Sequence, residues 1–265
     1  MPEGPEVKIV SDFINEALHG HTISSIECIS DPYKMKYGSL VDSLQHYLPF
    51  LFQPSFCIGK ATYLYLDDQN YFSYHLGMTG FWSTKQSSHA HLKLSTFSGL
   101  DVFFHDARRF GNIKITSSID LDRNFYCGDF LNYDFSIEDY ALFLFENLKT
   151  EREVCKVLLD QKYFAGVGNY LKSEILYACN FHPHKKWNSF SFNDILNLCK
   201  ISKFMLHKSY NGGGAQLRDF KNPSKAPDLE LLIYGKELTE KNLPVTSEIT
   251  KDNRRSFWCS ASQIT

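Results

Sequence analysis

The chain opens Met1-Pro2-Glu3-Gly4-Pro5-Glu6-Val7. If Met1 is removed, Pro2 presents a free secondary amine. An α-amino group has a pKa of about 7.7–8.0, against about 10.4 for lysine, so a useful fraction is unprotonated near neutrality. Such an amine attacks a sugar C1′ or an aldehyde and forms an iminium, the Schiff-base route of covalent catalysis. Glu3 and Glu6 can then move protons, provided they lie within hydrogen-bond reach. A Met-Pro start also arises by chance, and on this segment alone an ordinary chain end is the plainer reading.

Other stretches carry candidate chemistry. In FAGVGNYLKSEIL (164–176), Gly166 and Gly168 allow a tight turn and Asn169 opens a helix. Unpaired N–H groups in such a turn and at a helix N-terminus form an anion site that suits a DNA phosphate. Lys172 lies one turn further on. HLGMTG (75–80) and DARRFG (106–111) are strand ends running into turns. Met78, Arg108, Arg109 and Phe110 on those turns are groups that enter a duplex and fill the hole left by an extruded nucleotide. Equally, Met78 and Phe110 fit a core and the arginines a solvated turn. Lys60, in CIGK, either contacts a phosphate or is a solvated hairpin lysine. His182 and His184, in FHPHKKW, have no third ligand nearby and read as surface groups.

The elements that must position these residues follow from periodicity. Val7, Val10, Ile14, Ala17 and Leu18 predict a helix over 5–18, with Pro5 at its start and Gly20 beyond its end. Short β-type runs follow: HTISSIECI, FLFQPSFCI, ATYLYL, NYFSYHL, HLKLSTF, LDVFFHD and NIKIT. Their regular spacing predicts a sandwich. Residues 124–140 have no clear period and read as a linker. Beyond them YALFLFENL, REVCKVLLDQ, NYLKSEILYACN and SFNDILNLCKISKFMLHKS are helical, and the tail returns to two strands around a turn. The expected fold is α+β in two domains: a β-sandwich with an N-terminal helix over 1–125, a linker at 126–140, and a helical domain over 141–265 ending in a β-hairpin from about 230.

Composition bounds the rest. No apolar run is long enough to cross a bilayer, and the first 15 residues lack the apolar core of a signal peptide. Seven cysteines at scattered spacings argue against a secreted disulfide framework and for an intracellular protein, nuclear or cytoplasmic. The formal net charge is −2, yet residues 151–265 carry 17 Lys and Arg against 12 Asp and Glu. The C-terminal part can therefore face a polyanion.

Together MPEGPEV, GK at 59–60, HLGMTG, DARRFG, LLDQKYFAGVGNYLKSEIL and GGGAQLRDF resemble the formamidopyrimidine-DNA glycosylase / endonuclease VIII (Fpg/Nei) family of base-excision repair, in its order and over nearly the whole chain. The resemblance implies a bifunctional glycosylase/AP lyase that removes an oxidised base and cleaves the strand by β,δ-elimination. It implies Pro2 as nucleophile, Glu3 as acid/base in sugar-ring opening, Glu6 as supporting carboxylate and Lys60 as the hairpin lysine beside the lesion. It implies Asn169, in a helix–two-turn–helix, as a phosphate ligand, with His75 and Lys172 as further DNA-binding candidates. Met78, Arg108 and Phe110 resemble the void-filling residues. Damaged DNA, duplex or single-stranded, is the implied partner of a monomer, with no membrane and no cofactor.

One departure matters. Many members end in a four-cysteine zinc finger, whereas Cys259 is the only cysteine after Cys199 and no histidine follows His207. The tail, ending RRSFWC, resembles the zincless-finger branch of Nei-like glycosylases, with Arg254, then Arg255, as the arginine entering the minor groove. The Asn-, Lys-, Phe- and Tyr-rich composition is in keeping with a giant-virus member. This branch implies a preference for oxidised pyrimidines. Two alternatives stay open: preference for 8-oxoguanine and formamidopyrimidines, and a non-catalytic nucleic-acid binder that kept the helix–two-turn–helix.

Overall fold

The computed structural model describes residues 1–118, 128–215, 220, 222–224 and 228–263. The start of the expected linker, residues 126 and 127, and Gln216 to Asp219 of GGGAQLRDF lie outside these. The first helix, α1 (Gly4–Leu18), buries the residues its period selects: Val7, Val10, Ile14 and Leu18 are each at most 1% exposed. Gly20, at φ +74°, turns the chain out of it.

Eleven strands and six α-helices are present among the described residues. Strands β1 (Thr22–Cys28), β2 (Phe50–Leu51), β6 (Gly80–Ser83), β7 (Ala90–Thr96) and β8 (Asp101–Asp106) form an antiparallel sheet in the order β2-β1-β7-β8-β6. Strands β3 (Phe56–Ile58), β4 (Ala61–Tyr65), β5 (Asn70–His75) and β9 (Asn112–Ser117) form a second, ordered β3-β4-β5-β9. Tyr74 of β5 meets Trp82 of β6 and Phe104 of β8 at centroid distances of 5.6 and 6.0 Å, so aromatic rings join the two sheets. This is the expected sandwich.

Three local departures have physical causes. FLFQPSFCI is not one strand: it divides into β2 and β3 around Pro54, which has no N–H for a ladder. The short strand β6 lies outside the expected runs. Between HTISSIECI and FLFQPSFCI, where the sequence pattern assigns no element, the chain forms α2 (Asp31–Leu44), with Pro32 in its first turn and Tyr33, Tyr37, Val41 and Leu44 on its buried face. Two polar tyrosines in that stripe dilute the apolar period.

A second set of elements comprises α3 (Ile137–Asn147), α4 (Val154–Leu158), α5 (Asn169–Ala178), α6 (Phe192–Asn211), β10 (Thr246–Ile249) and β11 (Arg255–Trp258). Ser136 caps α3, and Ser191 with Asp194 forms a capping box on α6. Between α4 and α5 the chain makes two successive turns, closed by Tyr163 N–H to Asp160 O at 2.9 Å and Val167 N–H to Phe164 O at 3.2 Å. Helix α5 is buried on every side from Tyr170 to Leu176, Lys172 and Glu174 included. Charges in such a place must be paired.

By contacts the chain divides into two units. Met1–Pro2, 6–118, 220 and 222–224 belong to the first; Glu3–Pro5, 128–215 and 228–263 belong to the second. Pro2 and Glu3, neighbours in sequence, thus fall to different units.

Candidate active site

Glu3 is 2% exposed, and its carboxylate is enclosed by backbone donors. Oε2 accepts the N–H groups of Gly168 at 2.6 Å and Leu171 at 3.3 Å, and Oε1 accepts that of Tyr170 at 2.9 Å. These are orphan donors at the start of α5, where the helix dipole also favours a negative charge. The anion site expected in the glycine turn is real, but the protein's own Glu3 occupies it, so these donors are not available to a phosphate. The glycines are shaped to this guest. A Cβ at Gly168 would lie 2.3 Å from the Glu3 carboxyl carbon. Gly166 holds φ +86° and approaches Gly4 so closely that a Cβ on Gly4 would be 3.0 Å from its Cα. The Gly4 N–H donates to Gly166 O at 2.8 Å.

Pro2 is buried and Met1 is 44% exposed. Glu6, in the first turn of α1, is 1% exposed. Lys60 is half-buried in the two-residue turn between β3 and β4, where Gly59 takes φ +57°. His75 closes β5 opposite Ala61 and hydrogen-bonds the Lys60 backbone. Burial, then the Lys114 charge, lower the pKa of His75 below the usual histidine value, against the pull of that hydrogen bond. A neutral imidazole thus braces the lysine turn.

The turns bearing Met78, Arg108 and Phe110 are clasped together. Asp106, fully buried, accepts the Thr79 hydroxyl on Oδ1 and the Gly111 N–H on Oδ2, both at 2.6 Å. Thr79 Oγ1 in turn accepts the Arg108 N–H at 3.0 Å. Helix α2 braces the same turn: Tyr33 donates to Asp106 Oδ2 at 3.3 Å and Tyr37 to Gly111 O at 3.1 Å. Burial and the Asp106 charge push the Tyr33 hydroxyl far up, keeping it a donor. A Cβ on Gly77 would sit 2.5 Å from the Phe110 carbonyl carbon, so the two turns touch through bare backbone. Phe110 is left 57% exposed, with the Arg108 guanidinium 5.0 Å from its ring centroid. Met78 is half-buried.

At the hairpin, Asn169 Nδ2 donates to Arg255 O at 2.9 Å. The Arg255 guanidinium donates to Ser247 Oγ at 2.9 Å across the ladder. Arg254, in the turn, is exposed, and its guanidinium has no partner among the described residues. Of the two candidate arginines, Arg254 is therefore the uncommitted one. Lys172, expected to contact DNA, is corrected by the structure: it is wholly buried and paired with Asp252, out of reach of any phosphate. Glu174, 4% exposed, accepts the N–H groups of Leu232, Ile233 and Tyr234 at 2.6, 2.9 and 2.8 Å.

His184 is also more than a surface group. His184 Nδ1 is 2.8 Å from Glu153 Oε2 and its Nε2 is 3.1 Å from Glu248 Oε1, while Lys251 reaches the other Glu153 oxygen at 2.7 Å. The hairpin's sole sulfur, on Cys259, is fully buried. Its N–H donates to Gln263 Oε1 at 2.8 Å, and Gln263 donates to Phe181 O at 2.8 Å. Among the described residues no three His, Cys, Asp or Glu side chains converge on a metal position, so a four-ligand zinc centre does not fit this hairpin. Sequence reading missed Asp106, Glu174 and Asp252. Only Asp252 carried a signal, as Asp-Asn ahead of the arginine pair marks a turn.

Comparison with known proteins agrees with this architecture. Residues 1–113 match the formamidopyrimidine-DNA glycosylase N-terminal domain, and 133–221 match the H2TH domain of the same enzymes. A formamidopyrimidine-DNA glycosylase of Rickettsia conorii is 30% identical over 282 aligned positions, covering 99% of both chains. One of Zymomonas mobilis is 28% identical, covering 99% of this chain and all of that one. In fold, the chain is similar over its whole length to a Lactococcus lactis FPG mutant in complex with Fapy-dG containing DNA (TM-score 0.84, 22% identity). It is likewise similar to MutM in complex with DNA containing carbocyclic 8-oxo-G (TM-score 0.83, 23% identity). The chain belongs to the formamidopyrimidine-DNA glycosylase family and is a DNA glycosylase and AP lyase of base-excision repair.

Proposed function

We propose that Pro2, freed by loss of Met1, attacks C1′ of a damaged nucleotide in DNA and carries both steps through one Schiff base. The observation that carries this reading is the cage around Glu3. Three backbone N–H groups and two bare glycines hold the residue next to Pro2 in one place. Attack forms the Pro2 N–C1′ bond and breaks the C1′–base bond; the base leaves with that electron pair and takes up a proton, balanced by the N–H proton that Pro2 sheds. Glu3 assists sugar-ring opening, and Glu6 supports it. The iminium on Pro2 then acidifies C2′, and β- and δ-elimination expel the two phosphates. Lys60 contacts a phosphate beside the lesion, with His75 bracing its turn. Asn169 faces the DNA backbone from the start of α5, Arg254 enters the groove, and Met78, Arg108 and Phe110 fill the space the nucleotide leaves.

For the lesion, the formamidopyrimidine and 8-oxoguanine reading is the better supported, because the curated relatives are named formamidopyrimidine-DNA glycosylases at 27–30% identity over nearly the full chain. The one-cysteine hairpin favours oxidised pyrimidines instead. Single-lesion duplexes separate the two. Excision of 8-oxoguanine opposite C well ahead of thymine glycol is the expected result, and the reverse order restores the pyrimidine reading. Borohydride trapping on an abasic duplex tests the chemistry. A protein shown by mass spectrometry to begin at Pro2 should give a covalent adduct, and Pro2→Gly much less. Undiminished trapping by Pro2→Gly would assign the nucleophile to another amine, such as Lys60.

A further inference from the structure

Helix α5 carries an ammonium that nothing in the proposed chemistry uses. Lys172 Nζ lies 2.5 Å from Asp252 Oδ2, with the lysine side chain 0% and the aspartate side chain 4% exposed. The second carboxylate oxygen faces the other way. Asp252 Oδ1 accepts the Thr250 hydroxyl at 2.6 Å and the backbone N–H of Arg254 at 3.0 Å. One side chain is thus tied to a rigid helix by one oxygen and to the arginine-bearing turn by the other. The turn is closed independently by Thr250 N–H to Arg254 O at 3.0 Å, with Asn253 at φ +59°. What the ion pair adds is therefore not the shape of the turn but its attachment to α5.

We propose that Lys172 and Asp252 are positioning residues that aim Arg254, doing for this hairpin what a bound metal cannot do with one cysteine. The proposal rests on the reading of Arg254 as the groove-entering arginine. A buried ion pair is a poor source of stability, since desolvation offsets most of its attraction. Its use lies in directionality, because an ammonium and a carboxylate accept few relative placements, whereas an apolar pair of equal volume slides. The same helix holds β11 through Asn169 Nδ2 to Arg255 O and Phe257 N–H to Ser173 Oγ, and Glu174 fixes the loop at 232–234, so the ion pair is the contact that ties the arginine-bearing turn itself to α5.

The test uses the full chain beginning at Pro2, in the variants Lys172→Met/Asp252→Asn, Arg254→Ala and the three changes combined. The paired variant removes both buried charges, so no unpaired ion is left to unfold the protein, and the introduced amide keeps an acceptor oxygen for the turn. Single-turnover excision on an 8-oxoguanine duplex and on a thymine glycol duplex, borohydride trapping on a preformed abasic duplex, and the thermal midpoint are measured together. On the better substrate, excision by the paired variant is expected to fall about 10²-fold, the size of a misplacement of roughly 1 Å. Trapping on the abasic site, which has no base to release, is expected to persist, with the midpoint near that of the parent. In the combined variant, excision should be no slower than with Arg254→Ala alone, because a pair that acts only through Arg254 has nothing left to position. Excision that matches the parent, or losses that multiply with that of Arg254→Ala, would overturn the proposal. If Arg254→Ala itself leaves excision intact, the assignment of Arg254 fails instead, and the positioning role falls with it.

Discussion

Glu3 and Glu174 each sit almost out of water, 2% and 4% exposed, and each accepts three backbone N–H groups. The donors around Glu3 open a helix; those around Glu174 belong to the loop at 232–234. Their local physics is nearly the same, since a carboxylate satisfied by short, charge-assisted bonds is rigid and well solvated by protein. What separates them is the neighbour. Glu3 follows the residue whose nitrogen can become a nucleophile, whereas Glu174 lies amid a packed helix. A caged carboxylate therefore marks where the chain is fixed, not where chemistry happens.

The largest test of this contrast exchanges each carboxylate for an amide. Glutamine turns an NH2 toward donors that need an acceptor, so both variants lose stability, and each buried N–H left unsatisfied costs about 1–3 kcal/mol. Their activities should diverge. Glu3→Gln should lower single-turnover excision by about 10²–10⁴-fold, the usual contribution of a positioned acid or base. Glu174→Gln, measured on the folded fraction, should lose about tenfold or less, through a looser hairpin. Equal losses in two folded variants would reduce Glu3 to a cap on α5.

A smaller effect sharpens the same contrast from the glycine side. Gly168→Ala would place a methyl 2.3 Å from the Glu3 carboxyl carbon, so the carboxylate must leave its cage. Abasic-site trapping should fall with it while binding to undamaged DNA, driven by phosphate contacts, persists with its steep salt dependence. Gly20→Ala is a control for helix-end glycines in general: its φ is +74° but nothing lies within 4 Å, so it should cost stability alone.

How much of this was legible in the sequence follows from the range over which each feature acts. Helix α1 and the glycine turn are written locally, in the apolar period of Val7 to Leu18 and in Gly166 and Gly168. The anion site was legible too, but not its occupant, because Glu3 and Gly168 are brought together from 165 positions apart. The same distance problem hid Lys172, whose partner lies 80 residues on. A lysine in an amphipathic-looking helix reads as a surface cation until the whole helix proves to be buried. Helix α2 was lost for a different reason, since Tyr33 and Tyr37 look polar yet turn their hydroxyls to the 106–111 turn.

Glu153 extends the comparison to a carboxylate held by charged side chains rather than backbone, and its effect is the smallest. Burial acts to lower the pKa of His184, but hydrogen bonds to Glu153 and Glu248 outweigh it and hold that pKa above the usual histidine value. Burial acts to raise the pKa of Glu153, and Lys251 and then His184 outweigh it in the other direction. A histidine with a raised folded pKa contributes stability that is full below its unfolded pKa of about 6.5 and is lost as pH rises through the folded value. Glu153, lowered, contributes stability that is full above its own unfolded value and lost only in acid, so it stays constant from about pH 6 to 8. His182 runs against His184 in that window, because burial, then the His184 charge, lower its pKa. The comparison is therefore made in a His182→Gln background. There, adding His184→Gln should cost about 0.2–1 kcal/mol at pH 6, the range of a partly exposed ion pair, and progressively less by pH 8. Urea midpoints across that range measure it. A cost that does not change with pH would mean that His184 acts as a neutral ring donating its single N–H to one of the two carboxylates, so that the pair is not held as an ion bridge.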